Sequence, residues 1–137
     1  MTGYERIRAV LDGRRPDRVP TMLHAFMPAA AEADITMREY RTSAAAIAKA
    51  HISFARKYDL DGILMDIDTC VEASVMGVPV DYPEHEPARV TGAASSDIDA
   101  LLEMMDPHKL ASSERVQVSL EAVRLMKRED VYKRQAQ

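Results

Sequence analysis

Apolar residues recur at helical spacing in three segments of the chain. A capping box at residues 2–5 introduces a helix that Gly13 ends. The alanine-rich run from Ser43 to Tyr58 has apolar side chains three to four residues apart, and so does the segment 113–128. These patterns predict one short and two long amphipathic helices. Weaker helix signals are a second capping box at 36–39, a run from Cys70 to Gly77, and a run from Ser96 to Met104 that Asp106-Pro107 breaks.

Two short apolar stretches between the helices predict β-strands. The first runs from Val19 to Leu23, where it should be buried, and the second from Gly62 to Asp68. Residues 25–35 are small and irregular in pattern, which indicates a loop. Short extended pieces are expected at 78–82 and 88–90. Strands separated by long helices are typical of β-α-β units and a parallel sheet, so the fold class is α/β.

Two core strands are too few for a complete fold of this class, because each leaves an open edge. The chain has 137 residues, whereas a (β/α)₈ barrel needs about 250. We therefore expect residues 1–130 to be the N-terminal segment of a larger domain. The end of the chain contains the string DVYKRQ, which looks like translated adapter sequence. Residues 131–137 are accordingly expected to be a disordered or non-native tail, with a ragged native terminus as the alternative.

Charge and composition exclude several classes of function. The 18 Lys and Arg residues are interspersed with 22 Asp and Glu, for a net charge of −4, and form no basic stripe for nucleic acid. Cys70 is the only cysteine, which rules out an internal disulfide and fits the cytoplasm. No apolar run approaches the roughly 20 residues that span a bilayer. We expect a cytoplasmic protein with no nucleic-acid or membrane partner.

Asp66 and Asp68 are the most informative polar residues, because they stand on an apolar strand. Being two residues apart, they point to the same side of the strand, close to its carboxyl end. In parallel α/β folds ligands bind at that rim. The alternatives remain open: Asp68 could cap the following helix, and Asp66 could meet an arginine. We predict a substrate contact for Asp66.

His24 follows the first strand and would lie on the same rim, as a polar substrate contact or a structural histidine. Asp61 precedes Gly62 and is interpreted as a turn residue. The remaining candidates are interpreted as structural or surface residues. The loop cluster Glu84-His85-Glu86 and the positive group Arg14, Arg15 and Arg18 are expected to be solvated surface. Cys70 is expected to be a core residue without metal partners, and no role is assigned to His51 and His108.

The order of these segments resembles the uroporphyrinogen decarboxylase family from about Tyr4 to Pro107. The motif RPDRVP and the spacing DG-x5-D-x8-G, formed by Asp61, Gly62, Asp68 and Gly77, carry the resemblance. It implies the N-terminal part of a (β/α)₈ TIM barrel with its cleft at the C-terminal rim. In the heme-pathway decarboxylases an aspartate holds the pyrrole N–H groups, and the matching position is Asp68. The resemblance thus implies a catalytic Asp68.

The resemblance leaves the reaction open. The heme-pathway enzymes carry arginines after the first strand, whereas here no arginine lies between Arg18 and Arg38. A carboxy-lyase acting on porphyrinogen side chains is one expectation. The alternative is a corrinoid-dependent methyltransferase, which uses a corrinoid, a thiol and zinc ligands from the second half of the barrel. A non-catalytic fragment is a further alternative. We expect no cofactor or metal in this segment, a tetrapyrrole or corrinoid ligand, and a corrinoid protein or second copy as partner.

Overall fold

The computed structural model describes residues 1–66, 69–93, 95, 97–104 and 106–134, with side chains up to residue 129. Eight helices and four short strands lie in this part of the chain. The helices are α1 (Gly3–Leu11), α2 (Phe26–Glu32), α3 (Met37–Thr42), α4 (Ala44–Lys57), α5 (Val71–Val75), α6 (Ile98–Met104), α7 (Pro107–Ser112) and α8 (Glu114–Arg134). The strands are β1 (Met22–Leu23), β2 (Gly62–Ile63), β3 (Val80–Asp81) and β4 (Arg89–Val90).

The helices with capping signals begin where the sequence predicts them. The side chain of Thr2 accepts a hydrogen bond from the Glu5 amide, and the Glu5 carboxylate accepts one from the Thr2 amide, completing the capping box of α1. Ser43 caps α4 by accepting from the amide of Ala46. Each such cap satisfies a backbone donor that has no partner within its own helix. Local sequence therefore sets these boundaries, and the predictions for α1 and α4 are confirmed.

The predicted loop at 25–35 is wrong, because Phe26–Glu32 forms helix α2. Its start has no side-chain cap, and its buried face consists of Ala29 and Ala30, so neither a capping signal nor a large apolar residue marks it. Pro28 fits in the first turn, where its missing N–H would have no helical partner. Alanine has a high helix propensity, and its small side chain allows close packing against α4.

A second helix missed by the sequence analysis is α7. Asp106-Pro107 ends the preceding helix as predicted, but the same two residues also start a new one. The Asp106 side chain accepts a hydrogen bond from the amide of His108, and Pro107 occupies the first helical position. An Asp-Pro pair is a preferred helix start as well as a break.

Strands β1 and β2 pair in parallel, with Met22 opposite Gly62 and Leu23 opposite Ile63. The parallel pairing is as predicted, but the strands are shorter, and β1 is not buried. Val19 is 81% exposed and Leu23 is 44% exposed. This two-stranded sheet leaves edges and faces of its strands uncovered within the described residues. The extended pieces after α5 pair antiparallel as β3 and β4.

The hydrophobic core lies between helices rather than on the sheet. It joins α2, α3 and α4 with one residue of α8, and Tyr40 and Ile47 are its largest fully buried side chains. The members in α4 include Ile47, Ala50 and Phe54, as their spacing predicts. Helix α4 is thus the central element, because it contacts α2, α3, α8 and β2.

A buried carboxylate fixes the N-terminal ends of the two parallel strands. The Asp61 side chain is 2% exposed and accepts hydrogen bonds from Arg6 Nη1 at 2.9 Å, from Arg18 Nη2 at 3.0 Å, and from the Thr21 amide at 2.8 Å. Asp61 is therefore the centre of an ion-pair cluster rather than a simple turn residue. Arg18 is exposed, as its interpretation as solvated surface predicted, but its guanidinium group also belongs to this cluster.

Helix α1 approaches the same point closely. A Cβ atom added at Gly3 would lie 2.4 Å from the backbone oxygen of Asp61. A glycine is required there because any side chain would collide with the backbone. Burial alone raises the pKa of Asp61, but the Thr21 amide and the two guanidinium groups outweigh it and hold the pKa below its ordinary value. The cluster ties α1, the segment before β1, and β2 into one unit.

We predict that Asp61→Asn destabilises the fold by about 2 kcal/mol, since the buried amide cannot replace the charge-assisted hydrogen bonds that the carboxylate accepts from Arg6, Arg18 and the Thr21 amide. Denaturant unfolding at pH 7 measures this. Because the pKa of Asp61 is lowered in the folded state, its stabilisation is present above the ordinary value of about 4 and is lost as the pH falls through the folded value. The variant should lose less stability than wild type on acidification.

The matched control is Asp12→Asn, which removes a more exposed carboxylate that pairs with Arg8 and Arg14. An exposed pair of this kind contributes at most about 1 kcal/mol. Equal destabilisation by the two variants would contradict the role given to Asp61.

Candidate functional site at the strand ends

The carboxyl ends of β1 and β2 bring His24 and Asp66 together. Because the strands are parallel, the residues that follow them emerge at the same edge. His24 Nε2 lies 2.6 Å from Asp66 Oδ2, and their side chains are 51% and 26% exposed. The sequence predicts both residues at one rim, and the structure places them there. Among the residues that the structure describes, the Asp66 side chain pairs with this histidine, so the alternative in which Asp66 meets an arginine is wrong.

Behind this exposed pair lies a buried pair, Tyr40 and His51. The Tyr40 hydroxyl is 2.6 Å from the backbone oxygen of Asp66 and 2.6 Å from His51 Nε2. Tyr40 is fully buried, and His51 is 4% exposed. Burial lowers the pKa of His51, although the Asp66 carbonyl opposes this, and burial with the nearby Asp66 charge raises the pKa of Tyr40. Both groups are neutral near pH 7.

An aromatic ring connects the exposed and the buried pairs. The ring centroid of Phe26 lies 5.5 Å from that of His24 and 6.4 Å from that of Tyr40. These separations are typical of aromatic contacts in protein interiors. Phe26 is the first residue of α2, so the helix that the sequence analysis missed supplies part of the site.

A cavity of about 220 Å³ adjoins Asp66, between the end of β2, α5 and the first turns of α8. Its described lining combines two carboxylates with apolar and hydroxyl side chains and contains no cation. These residues are Met65, Asp66, Val71, Glu72, Val116, Ser119 and Leu120. Glu72 was not predicted as a site residue. A larger apolar groove of about 680 Å³ lies between α4, β2 and α8, and neither His24 nor Asp66 lines it.

The other sequence candidates have different outcomes. Asp68, the predicted catalytic residue, lies outside the described residues. Cys70 is buried at the start of α5, as expected for a core residue. In the loop cluster, Glu84 pairs with Arg38 and Glu86 pairs with Arg89. Within the described ranges no three His, Cys, Asp or Glu side chains are grouped closely enough to hold a metal ion.

Tyr40 and His51 are the functional candidates that sequence reasoning missed. His51 lies on the apolar face of α4, and a histidine there is usually a satisfied core residue. Tyr40 lies in the short helix α3, where its sequence context is that of an ordinary aromatic core residue. No local pattern links either one to Asp66, because 26 residues separate Tyr40 from it in sequence.

The uroporphyrinogen decarboxylase (URO-D) family model matches residues 2–134, which is nearly the whole chain. The chain belongs to the uroporphyrinogen decarboxylase family. This confirms the resemblance drawn from the motifs RPDRVP and DG-x5-D-x8-G. Membership indicates an enzyme family, and it leaves the reaction of this member open.

A solved structure with a similar fold is a methyltransferase from Methanosarcina mazei. It superposes with a TM-score of 0.78 at 20% sequence identity and covers 94% of this chain. The URO-D-family chain spans 39% of the length of that methyltransferase. At this identity the likeness shows the α/β fold alone. No curated protein matches the chain in sequence. In the part of the chain that the structure describes, every helix is too short or too polar to cross a membrane.

We predict that His51 makes stability depend on pH in the weakly acidic range. Its pKa is lowered in the folded state, so its contribution is complete above the unfolded value of about 6.5 and is lost as the pH falls from there through the folded value. His51→Gln should flatten the loss of unfolding free energy between pH 7 and pH 5. Chemical denaturation at several pH values measures this.

The control for this experiment is His108→Gln, since His108 is exposed on α7. That variant should keep the wild-type slope. A His51→Gln variant that also keeps the wild-type slope would contradict the assignment.

Proposed function

We propose that the URO-D-family protein containing this chain binds a tetrapyrrole-type ligand where β1 and β2 end, and that its reaction is methyl transfer from a corrinoid. The observation that supports this is the pair of His24 and Asp66 at the strand ends, beside a cavity without cationic lining among the described residues. The fold likeness to a methyltransferase agrees with it. The cavity is too small to enclose a tetrapyrrole, so the proposal concerns the whole protein and the N-terminal part of a (β/α)₈ barrel within it.

Three arginines on either side of β1 in the sequence form ion pairs and hydrogen bonds within the chain, which bears on the charge of the substrate. Arg18 pairs with Asp61 at the opposite end of the strands. Arg38 pairs with Glu84, and Arg41 donates to the backbone oxygens of loop 83–86. A porphyrinogen with many carboxylates needs bidentate cationic partners. These three arginines are committed elsewhere, so a less anionic ligand fits the rim better.

A corrinoid fits because its periphery carries neutral amide groups. The Asp66 carboxylate can accept hydrogen bonds from amide or pyrrole N–H groups, and the His24 imidazole can donate to a carbonyl or accept from an amide. The corrinoid would supply a methyl group for transfer to the sulfur of a thiol. We assign no zinc ligand to this chain, because its described residues contain no suitable group.

Decarboxylation of porphyrinogen side chains is the second candidate. Asp68 matches the family aspartate that holds the pyrrole N–H groups, and a carboxylate there would stabilise a cationic intermediate. Under this reading the anionic arms of the substrate would need cations from parts of the protein beyond the residues described.

We predict that the whole protein binds hydroxocobalamin more tightly than uroporphyrin I. Asp66→Asn should weaken the hydroxocobalamin affinity about tenfold, as expected for loss of a charged hydrogen-bond acceptor. Titration followed by the cobalamin absorbance measures both dissociation constants. Asp81→Asn is the control, since it removes an exposed carboxylate that pairs with Arg89 in the β3–β4 hairpin. Tighter binding of uroporphyrin I would favour decarboxylation instead.

We predict that Asp68→Asn lowers turnover about 100-fold or more in the whole protein, as loss of a preorganised electrostatic group does. The rate of methyl transfer to a thiol, or of carbon dioxide release, measures this. A wild-type rate would remove Asp68 from the site.

A further inference from the structure

We propose that Tyr40 and His51 are positioning residues of the ligand site, which hold the backbone of Asp66 so that its carboxylate faces His24. The inference rests on the proposed function and adds two residues to it. Neither residue lines the cavity beside Asp66. They act through the carbonyl of Asp66 and not on the ligand itself.

The direction of the hydrogen bonds follows from the chemistry of the three groups. A carbonyl oxygen can only accept, so the Tyr40 hydroxyl donates its single hydrogen to the Asp66 carbonyl. The hydroxyl then has only lone pairs to offer His51 Nε2, which lies 2.6 Å away. His51 must therefore carry its proton on Nε2. Because burial lowers its pKa, His51 is neutral, and Nδ1 is without a proton.

Asp66 needs such support because of its place in the backbone. Strand β2 ends at Ile63, so Asp66 lies three residues beyond the parallel ladder that fixes the strand. Its own carbonyl is the acceptor for Tyr40, and its carboxylate, in the same residue, pairs with His24. A hydrogen bond from a fully buried side chain restricts the backbone more than one from a mobile surface group.

Burying the polar groups of Tyr40 and His51 costs free energy, which argues that the two residues do more than fill space in the core. A buried hydroxyl and a buried imidazole are favourable only when they are hydrogen-bonded, and phenylalanine and leucine would fill the same space without that requirement. Tyr40 is completely buried, and within the described ranges its hydroxyl has His51 Nε2 and the Asp66 backbone oxygen as hydrogen-bond partners. Their arrangement serves the Asp66 carbonyl.

The test compares Tyr40→Phe with Tyr58→Phe in the whole protein. The control removes the hydroxyl of an exposed tyrosine at the C-terminal end of α4, which donates to Glu32 instead of the Asp66 carbonyl. We expect Tyr40→Phe to accelerate amide hydrogen exchange at residues 65–66 about tenfold and to weaken hydroxocobalamin binding about tenfold, as loss of one hydrogen bond does. Tyr58→Phe should change neither. Unchanged exchange in Tyr40→Phe would overturn the proposal.

A double variant distinguishes positioning from general stabilisation. If Tyr40 acts through Asp66, Tyr40→Phe combined with Asp66→Asn should bind hydroxocobalamin no more weakly than Asp66→Asn alone. Multiplying effects would overturn the proposal. If the wild-type protein binds no hydroxocobalamin, the proposed function fails. The positioning role is then decided by hydrogen exchange and by the nitrogen-15 spectrum of the His51 imidazole.

The imidazole of His51 gives a readout that is independent of ligand and of Tyr40 variants. Nitrogen-15 spectra of the wild-type protein at pH 7 should show His51 with its proton on Nε2. A proton on Nδ1 would overturn the hydrogen-bond chain. If Tyr40→Phe does not fold, His51→Leu replaces it in the exchange experiment, with His51→Gln, which keeps an N–H donor, as the conservative variant expected to retain slow exchange.

Discussion

The parallel pairing of β1 with β2 is the constraint on which the rest of the structure depends. The register that sets Met22 opposite Gly62 brings equivalent ends of the two strands together. It places Thr21 and Asp61 at one end, and His24 and Asp66 at the other. An antiparallel pairing, or a register shifted by several residues, would separate both groups. The pairing of two residues in each strand therefore determines which polar side chains can meet at each end of the sheet.

The two ends of this small sheet use charge in different ways. At the N-terminal end, the Asp61 carboxylate is buried against two guanidinium groups and the Thr21 amide, an arrangement that stabilises the fold but offers a ligand little access. At the carboxyl end, Asp66 and His24 are partly exposed beside a cavity. This division agrees with α/β barrels, in which one face serves stability and the other binds ligands. The same residue type, aspartate, has a structural role at one end and a candidate functional role at the other.

The buried Tyr40–His51 pair connects the core to the candidate site. Helix α4 carries His51, helix α3 carries Tyr40, and the two helices are packed by the apolar residues of the core. The position of the Asp66 carbonyl is therefore coupled to the packing of α3 and α4, whose described residues do not line the cavity beside Asp66. In the URO-D family to which the chain belongs, this coupling would let a rigid helical layer orient a residue beyond the end of a strand. The cavity lining and the engaged arginines support our proposal of the less anionic of the two tetrapyrrole classes.

The sequence by itself determined the elements whose signals are local. The capping box of α1 and the Ser43 cap act within a few residues, and the apolar spacing of α4 and the family motifs lie in single short stretches of sequence, so all of them could be read without coordinates. Parallel topology also followed, and with it the expectation that His24 and Asp66 share a rim. Helix α2 escaped prediction because alanine signals burial weakly and its start has no side-chain cap.

Only the tertiary structure decided which polar groups are partners. Asp61 is 43 residues from Arg18, and Tyr40 is 26 residues from Asp66. Their hydrogen bonds depend on how helices and strands pack, and no spacing rule spans such separations. The physical reason is that a side chain's role is set by its burial and neighbours, which the chain acquires on folding, whereas a helix cap is set by the residues beside it.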